Sequence, residues 1–404
     1  MLLLHVFLAW RSRGGVYIGL PDFSIFYTAA EILHQGRGPE LYDDRLQENV
    51  QLSFSPIALE KRGSALPFNH PPFEALVFAP FARLSYLGAY LVWFGIDLGM
   101  VLVVLVLLRR NFAILGSAPL YLWMLAGLGF YPVFVALLQG QDSIFVLFCY
   151  TIAFLSFRRG REFREGAWVG LGLCKFHLVL PFVFPLFVLD RRKFMAAFLL
   201  VAVVLALLGL AAVGWNASLG YPAYVWAGER NQSYAWALLG HVSNVRGLVE
   251  SLCPPGNPRT RTWLILVICL MLLTSLTYAV RKAFLMSAVH PELVFALSLI
   301  ATALTSYHIY FHDLSILLLA VLIVLEFLLS SEKLNRWGKR ALYGCIGILF
   351  CSPVYMLLTI RYKHSELLGA VLLIFFVVLL VEFLRMQPGS DAQPAPVLTN
   401  PELH

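Results

Sequence analysis

Long apolar runs, interrupted by short polar segments, occupy most of this chain of 404 residues. Several runs carry no charge over nearly 20 residues, about the length with which a helix crosses 30 Å of hydrocarbon. The pattern predicts an all-α polytopic membrane protein with about ten to twelve transmembrane helices. The predicted spans lie near residues 88–108, 113–130, 143–157, 166–189, 194–213, 262–280, 285–306, 309–329, 341–359 and 366–385.

The polar segment over residues 11–70 is predicted to form a loop that carries short amphipathic helices. Residues 1–10 are apolar but too short to cross a bilayer, so we expect a first transmembrane helix that is clipped or shallowly inserted. Apolar residues recur with helical spacing over residues 22–35, and a second helix is predicted over residues 43–52. Both helices are predicted to lie on the membrane surface.

Basic residues in the short loops predict the orientation of the chain. Because lysine and arginine are enriched on the cytoplasmic side, we expect the basic clusters near residues 190–193, 281–282 and 333–340 to be cytoplasmic together. The 11–70 loop, a second loop at 214–261 and the segment at 306–313 then share the outer face.

A short apolar helix predicted over residues 72–84 leaves two alternatives open. If it spans the membrane, the arginines at 109–110 and 158–164 fall outside, against the distribution of basic residues. If it is re-entrant, they fall inside.

Composition agrees with an integral membrane protein, since 60% of the residues are hydrophobic and 13% are charged. The formal charge of +7 is spread over short clusters between spans, so we predict topology signals and no nucleic-acid partner. No CxxC spacing occurs among the cysteines, which gives no indication of a disulfide framework or a zinc site.

The whole chain is predicted to form one integral membrane domain over residues 1–386. Residues 11–70 would be its catalytic outer loop, and residues 214–261 a second outer loop. Residues 387–404, which are rich in proline, are expected to be a disordered tail.

The polar residues that could do chemistry gather on the predicted outer face. Asp22 stands at the membrane boundary, where a carboxylate is costly to desolvate without a partner or a task. Transfer of a sugar from a polyprenyl phosphate needs a carboxylate to take the acceptor's proton and positive groups to hold the phosphate leaving group. Asp22 is the candidate base, and the candidate phosphate or sugar contacts are His70, Lys175, Arg246, His308 and His312.

These residues have simpler interpretations that the sequence leaves open. Asp22 could be the N-cap of the helix that follows it. His308 and His312 are predicted to share one helix face, a spacing that could bind a metal, but no third ligand is evident. Lys175 lies inside an apolar run and should face a polar cavity or reach an interface. Asp43 and Asp44 are adjacent rather than in D-x-D spacing, so we expect a helix cap and no metal site.

Several segments together resemble glycosyltransferase family 87. The resemblance rests on the run from Asp22 to Ala30, Leu41 to Asp43, His70 to Pro72, Gly140-Gln141, Gly170 to Lys175, Asn244 to Leu248 and Ser306 to Leu314. These are membrane enzymes of the C-type, which include α-mannosyltransferases dependent on polyprenyl-phosphate mannose. The resemblance implies a C-type fold of many helices, with a first outer loop whose catalytic aspartate corresponds to Asp22.

The resulting hypothesis is a hexosyltransferase of the cell (plasma) membrane with its site on the outer face. It would transfer a hexosyl unit, with mannosyl as one candidate, from a polyprenyl-phosphate sugar to a lipid or glycan acceptor. No metal or further cofactor is expected. The competing interpretation is a lipid or small-solute transporter or flippase, which would place polar groups at mid-span on broken helices.

Overall fold

In the computed structural model, residues 1–230, 242–253, 257–285, 290–307, 309–331 and 334–386 are described, and they form helices without a β-strand among them. The first eight α-helices are α1 Leu2–Tyr17, α2 Phe23–His34, α3 Asp44–Phe54, α4 Pro56–Arg62, α5 Pro72–Phe78, α6 Tyr86–Asn111, α7 Leu120–Gly129 and α8 Tyr131–Gln139. They are followed by α9 Ser143–Arg158, α10 Glu162–Leu171, α11 Phe176–Val188, α12 Arg192–Arg230, α13 Val245–Leu252, α14 Pro258–Leu285, α15 Glu292–Thr305, α16 Leu317–Ser330, α17 Arg336–Phe350, α18 Ser352–Met356 and α19 Leu367–Met386.

The predicted all-α polytopic class is confirmed, with fewer spans than the predicted ten to twelve. Within the described residues, six helices are long and apolar enough to cross a membrane, and eight if each of two bent pairs is one span. The pairs α7–α8 and α17–α18 bend by 68° and 66°. Two further apolar helices, α9 and α15, have 16 and 14 residues. Apolar runs alone overcount spans because some of them end early or break at a bend; α15, for example, has 14 residues, fewer than the roughly 20 that a span requires.

The expected loop over residues 11–70 is largely helical. Helix α1 continues past the arginines at positions 11 and 13 to Tyr17. The two predicted helices are present as α2 and α3, and the Asp43 carboxylate caps α3 by accepting the N–H groups of Arg45 and Leu46 at 2.9 and 3.0 Å. The cap interpretation of Asp43 is therefore confirmed.

Helix α2 is not the surface helix that its spacing predicts. Its residues from Phe23 to Ala30 are all buried, and α2 packs against α5 and the 3₁₀ segment Ala79–Arg83. The Phe26 and Phe78 rings stack with centroids 4.4 Å apart. The prediction was wrong for α2 because its polar face carries small hydroxyl residues, which can bond within the helix; Thr28, for example, donates to the Ser24 carbonyl at 2.6 Å.

The segment over residues 72–84 is too short to cross a membrane as a helix. Helix α5 has seven residues and is followed by the five-residue 3₁₀ segment. Even joined, these are well short of the roughly 20 residues that a span requires. Of the two alternatives, this favours the one in which the segment turns back.

The predicted loop over residues 214–261 also begins as helix. Helix α12 continues to Arg230, with Gly214 at positive φ (78°) as a kink. The first described residues after it lead into α13, and the residues between, 231–241, lie outside the described part of the chain, as does the tail over 387–404.

Close contact between α10 and α12 depends on two glycines. A Cβ at Gly166 would lie 2.1 Å from the Phe194 carbonyl oxygen, and one at Gly170 would lie 2.9 Å from Val201 Cβ. Spaced four apart on α10, the glycines let the helix backbones approach as small residues do in membrane helix pairs. Helix α10 leads through the 3₁₀ turn Gly172–Lys175 into α11, so this contact also fixes the position of Lys175.

Candidate functional site

A cavity of about 410 Å³ lies where the N-terminal helices meet the rest of the bundle. Four of the sequence-predicted residues line it: Asp22, His70, Lys175 and His312. The other lining residues are Ile25, Leu66, Pro67, Asn69, Val135, Gln139, Gln141, Cys174, Phe176, His177, Tyr307, Tyr310, Phe311, Asp313 and Thr359. Segments distant in sequence thus contribute to one polar site.

Asp22 precedes α2 at the N-cap position, but its carboxylate does not cap the helix. Instead, Asp22 Oδ2 accepts a hydrogen bond of 2.8 Å from Gln141 Nε2. The Asp22 backbone N–H donates to Gln139 Oε1 at 3.0 Å. The side chain is therefore oriented by the turn between α8 and α9.

That turn requires a glycine. Gly140 has φ of 64°, in the left-handed region, and a Cβ there would lie 2.9 Å from Phe23 Cβ. The absence of a side chain at Gly140 lets the first residue of α2 pack directly on the turn. This contact sets the separation between Asp22 and Gln141.

Lys175 is buried and is paired with two carboxylates. Its Nζ lies 3.0 Å from Asp142 Oδ1 and 2.9 Å from Asp313 Oδ1, and it donates to Gln141 Oε1 at 3.1 Å. Because the Gln141 carbonyl accepts from Lys175, its amide group must point at Asp22. Gln141 thereby joins the Lys175 ion cluster to the partly exposed carboxylate of Asp22.

The two described histidines from the predicted set lie on opposite sides of this cluster. His70 Nδ1 is 2.9 Å from Glu74 Oε2 and 3.8 Å from Asp142 Oδ2. His312 Nδ1 is 3.9 Å from Asp22 Oδ2, and its Nε2 is 3.4 Å from Asp313 Oδ1. Burial lowers the pKa of His70 to about 4, and burial also lowers the pKa of His312. Both imidazoles are therefore neutral at pH 7 and can donate one N–H.

Arg246 and His308 have different outcomes. Arg246 is on α13, where it pairs with Glu250 at 3.0 Å and donates to the Tyr307 carbonyl at 3.3 Å. It is not among the lining residues, although Tyr307 is. His308 lies outside the described residues.

The prediction that His308 and His312 share one helix face was wrong. Residues 309–312 are not helical, and the 3₁₀ segment begins only at Asp313. The Asp313 carboxylate accepts the Tyr310 N–H at 3.0 Å, which holds an irregular turn in place of a helix. Short polar side chains that bond the local backbone compete with helix in this way.

Two longer helices begin close to the cavity, which Asp22 and Gln141 line. Asp22 precedes α2, of 12 residues, and Asp142 precedes α9, of 16 residues. Unpaired N–H groups at such ends carry partial positive charge and favour anions. The cavity is therefore suited to an anionic group in addition to the carboxylates that it contains.

Sequence reasoning missed part of the lining. Gln139, His177 and Asp313 line the cavity and were not predicted as site residues. The signal for Asp313 was available, since a lysine inside an apolar run requires a carboxylate partner. Nothing in the sequence identifies Gln139, because its role depends on the bend between helices.

Fold and cavity together define an all-α integral membrane protein with a polar site between its helices. The family model of glycosyltransferase family 87 matches residues 68–307, more than half of the chain, and the chain belongs to that family. The matched range contains His70, Lys175 and Arg246 but neither Asp22 nor His312. No curated protein and no solved structure matches.

Proposed function

We propose that this membrane glycosyltransferase transfers a hexosyl unit from a polyprenyl-phosphate sugar to a lipid or glycan acceptor, with Asp22 as general base. Mannose is one candidate for the sugar. The reaction would take place on the outer face of the plasma membrane, as the distribution of basic residues predicts.

The observation that carries the proposal is the exposure of Asp22 compared with its neighbours. Its side chain is 29% exposed, whereas those of Glu74, Asp142 and Asp313 are 3%, 3% and 1% exposed. Asp142 and Asp313 are also engaged by Lys175. Among these four carboxylates, Asp22 is the one that an acceptor hydroxyl can reach, and a base must come within hydrogen-bond distance of the proton that it takes.

Asp22 is also oriented for this role. Gln141 holds Oδ2, and Oδ1 makes no hydrogen bond within the described part of the chain. A carboxylate fixed through one oxygen can accept a proton on the other without reorganisation.

The leaving group explains the rest of the cavity. A polyprenyl phosphate departs as an anion that is stable without a proton, so the site needs donors rather than a general acid. His312 lies 3.9 Å from the proposed base. Its imidazole could therefore contact the phosphate of the donor sugar while the base activates the acceptor hydroxyl. His70 contributes on the far side of the cavity, and the N-terminal ends of α2 and α9 add positive potential.

The proposal is tested by incubating the purified chain with radiolabelled polyprenyl-phosphate sugars and membrane lipids. We expect a labelled glycolipid or glycan with wild type and about 10²–10⁴-fold less of it with Asp22→Asn, which keeps the shape and the Gln141 contact. Flux of the substrate in liposomes without a covalent product would overturn the enzyme assignment and favour a transporter. Full activity in Asp22→Asn would overturn the assignment of the base.

A further inference from the structure

Three side chains, of which His70 lines the cavity and the other two are buried beside it, have the donor atoms and the spacing of a metal site. His70 Nδ1, a Glu74 oxygen and an Asp142 oxygen all lie within 4.8 Å of one another. The two measured separations from His70 Nδ1 are 2.9 Å to Glu74 and 3.8 Å to Asp142. Ligands at about 2.1 Å from a tetrahedral ion are about 3.4 Å apart, a value between these two.

Backbone structure places these ligands. His70 is followed by Pro71-Pro72, which starts α5, and Glu74 follows in the first turn of that helix. Asp142 comes from the turn between α8 and α9. The Tyr42 hydroxyl donates to the His70 carbonyl at 2.8 Å, which fixes the backbone of His70.

Charge in this region is not balanced by the side chains present. Glu74, Asp142 and Asp313 are all buried, and Lys175 is the ammonium that contacts two of them. If all three carboxylates are ionised, this group carries two uncompensated negative charges. Two buried carboxylates in contact need a proton or a cation between them.

Asp142 supplies a second, independent observation. Its side chain is only 3% exposed, and its Oδ2 accepts no N–H hydrogen bond among the described residues. Lys175 lies beside Oδ1, while Oδ2 faces His70. A buried oxygen without such a bond is costly unless another positive group meets it.

We propose that His70, Glu74 and Asp142 bind one divalent cation of the Mn²⁺ or Zn²⁺ class. One imidazole with two carboxylates suits these ions, whereas Mg²⁺ prefers oxygen ligands throughout. The site differs from the adjacent aspartates Asp43-Asp44, for which no metal is expected. The inference rests on the proposed function for its use: because His70 lines the cavity, an ion there could hold a phosphate oxygen of the donor.

The experiment measures metal binding directly. The full chain, purified in detergent and treated with a chelator, is titrated with Mn²⁺ alone and with Zn²⁺ alone, by calorimetry and by metal analysis after gel filtration. The variants are Glu74→Gln and His70→Gln, and Asp22→Asn and Glu250→Gln are matched controls. His70→Gln at the cavity edge gives the same test if Glu74→Gln does not fold.

We expect one ion per chain in wild type and in both controls. Loss of a residue that only hydrogen-bonds to a metal ligand weakens metal binding by about 10–100-fold. Removal of a ligand itself should weaken binding by at least as much. Equal binding in wild type and in both ligand variants would overturn the proposal. So would an infrared carbonyl band of a protonated acid that persists in excess Mn²⁺ or Zn²⁺ and that Glu74→Gln removes, because a proton would then hold the carboxylate pair.

These outcomes are separate from those that test the transferase. If Asp22→Asn loses transfer but binds the ion, both proposals stand. If the chain binds no ion and transfer is unaffected by chelator, the metal site is excluded while the proposed function remains.

Discussion

Asp22 and the pair Asp142 and Asp313 are the same residue type within one cavity, yet their surroundings differ. Asp22 is partly exposed and held by one neutral amide, whereas the other two are buried against the Lys175 ammonium. A buried carboxylate that is paired with a cation cannot reach a substrate without breaking that pair. The comparison separates a carboxylate that a substrate can reach from two that an ammonium holds in place, in a way that residue type alone does not.

The largest effect is expected from Lys175→Met, which breaks the buried side of the comparison. Removing the ammonium leaves Asp142 and Asp313 close together and uncompensated, at a cost of about 3–5 kcal/mol. We expect loss of folded protein or a large fall in Tm, measured by fluorescence-detected gel filtration after heating. The exposed Lys193→Met is the control. A normal Tm in Lys175→Met would show that the cluster does not support the fold.

The next effect is expected from Asp22→Asn, on the exposed side. Activity should fall by about 10²–10⁴-fold, as when a general base is removed, with Tm nearly unchanged. Product formation and thermal stability are measured on the same preparation. Asp190→Asn, on an exposed surface turn, should leave both unchanged. A fall in Tm comparable with that of Lys175→Met would place Asp22 with the structural carboxylates.

Gln141→Ala removes the side chain that joins the two regions. A hydrogen bond to a charged group contributes about 1.5–3 kcal/mol, so we expect roughly a tenfold or greater fall in kcat. KM should change less, because the amide positions the base and is not expected to bind the donor. The exposed Gln35→Ala is the control. A tenfold rise in KM with kcat unaltered would contradict a positioning role for Gln141.

The smallest effect is expected from acidification. Burial lowers the pKa of His312, so the unfolded chain takes up a proton at a higher pH than the folded chain does. The neutral His312 therefore contributes fully to the free energy of unfolding above its ordinary pKa. That contribution is lost as the pH falls from the ordinary pKa towards the lowered one. Tm measured from pH 7.5 to 5 should decline less steeply in His312→Asn than in wild type. Parallel curves would show that another group determines the acid sensitivity.

The sequence predicted most helices because apolar runs and caps are local features. The cap at Asp43 and the start of α5 at Pro72 were read from neighbouring residues and lie where expected. Fewer of the described helices than predicted are long enough to span a membrane, because the early end of α15 and the bends within α7–α8 and α17–α18 depend on packing between distant segments.

The sequence predicted which residues could take part in a site, because that depends on their chemistry. It did not predict how those residues are arranged. Asp22, His70, Lys175 and His312 meet at one cavity. Lys175 pairs with Asp142, 33 residues before it, and with Asp313, 138 residues after it, and no local pattern encodes such contacts. For the same reason Gln139 and Gln141 could not be assigned to Asp22 in advance.

The helix ends at Asp22 and Asp142 have a consequence for how the cavity would tolerate mutation. Main-chain amides at the start of α2 and α9 are present whatever side chains evolve beside them. Affinity for an anionic head group would then be partly encoded in backbone direction, and the loss of a single imidazole should weaken retention of the carrier lipid without abolishing it.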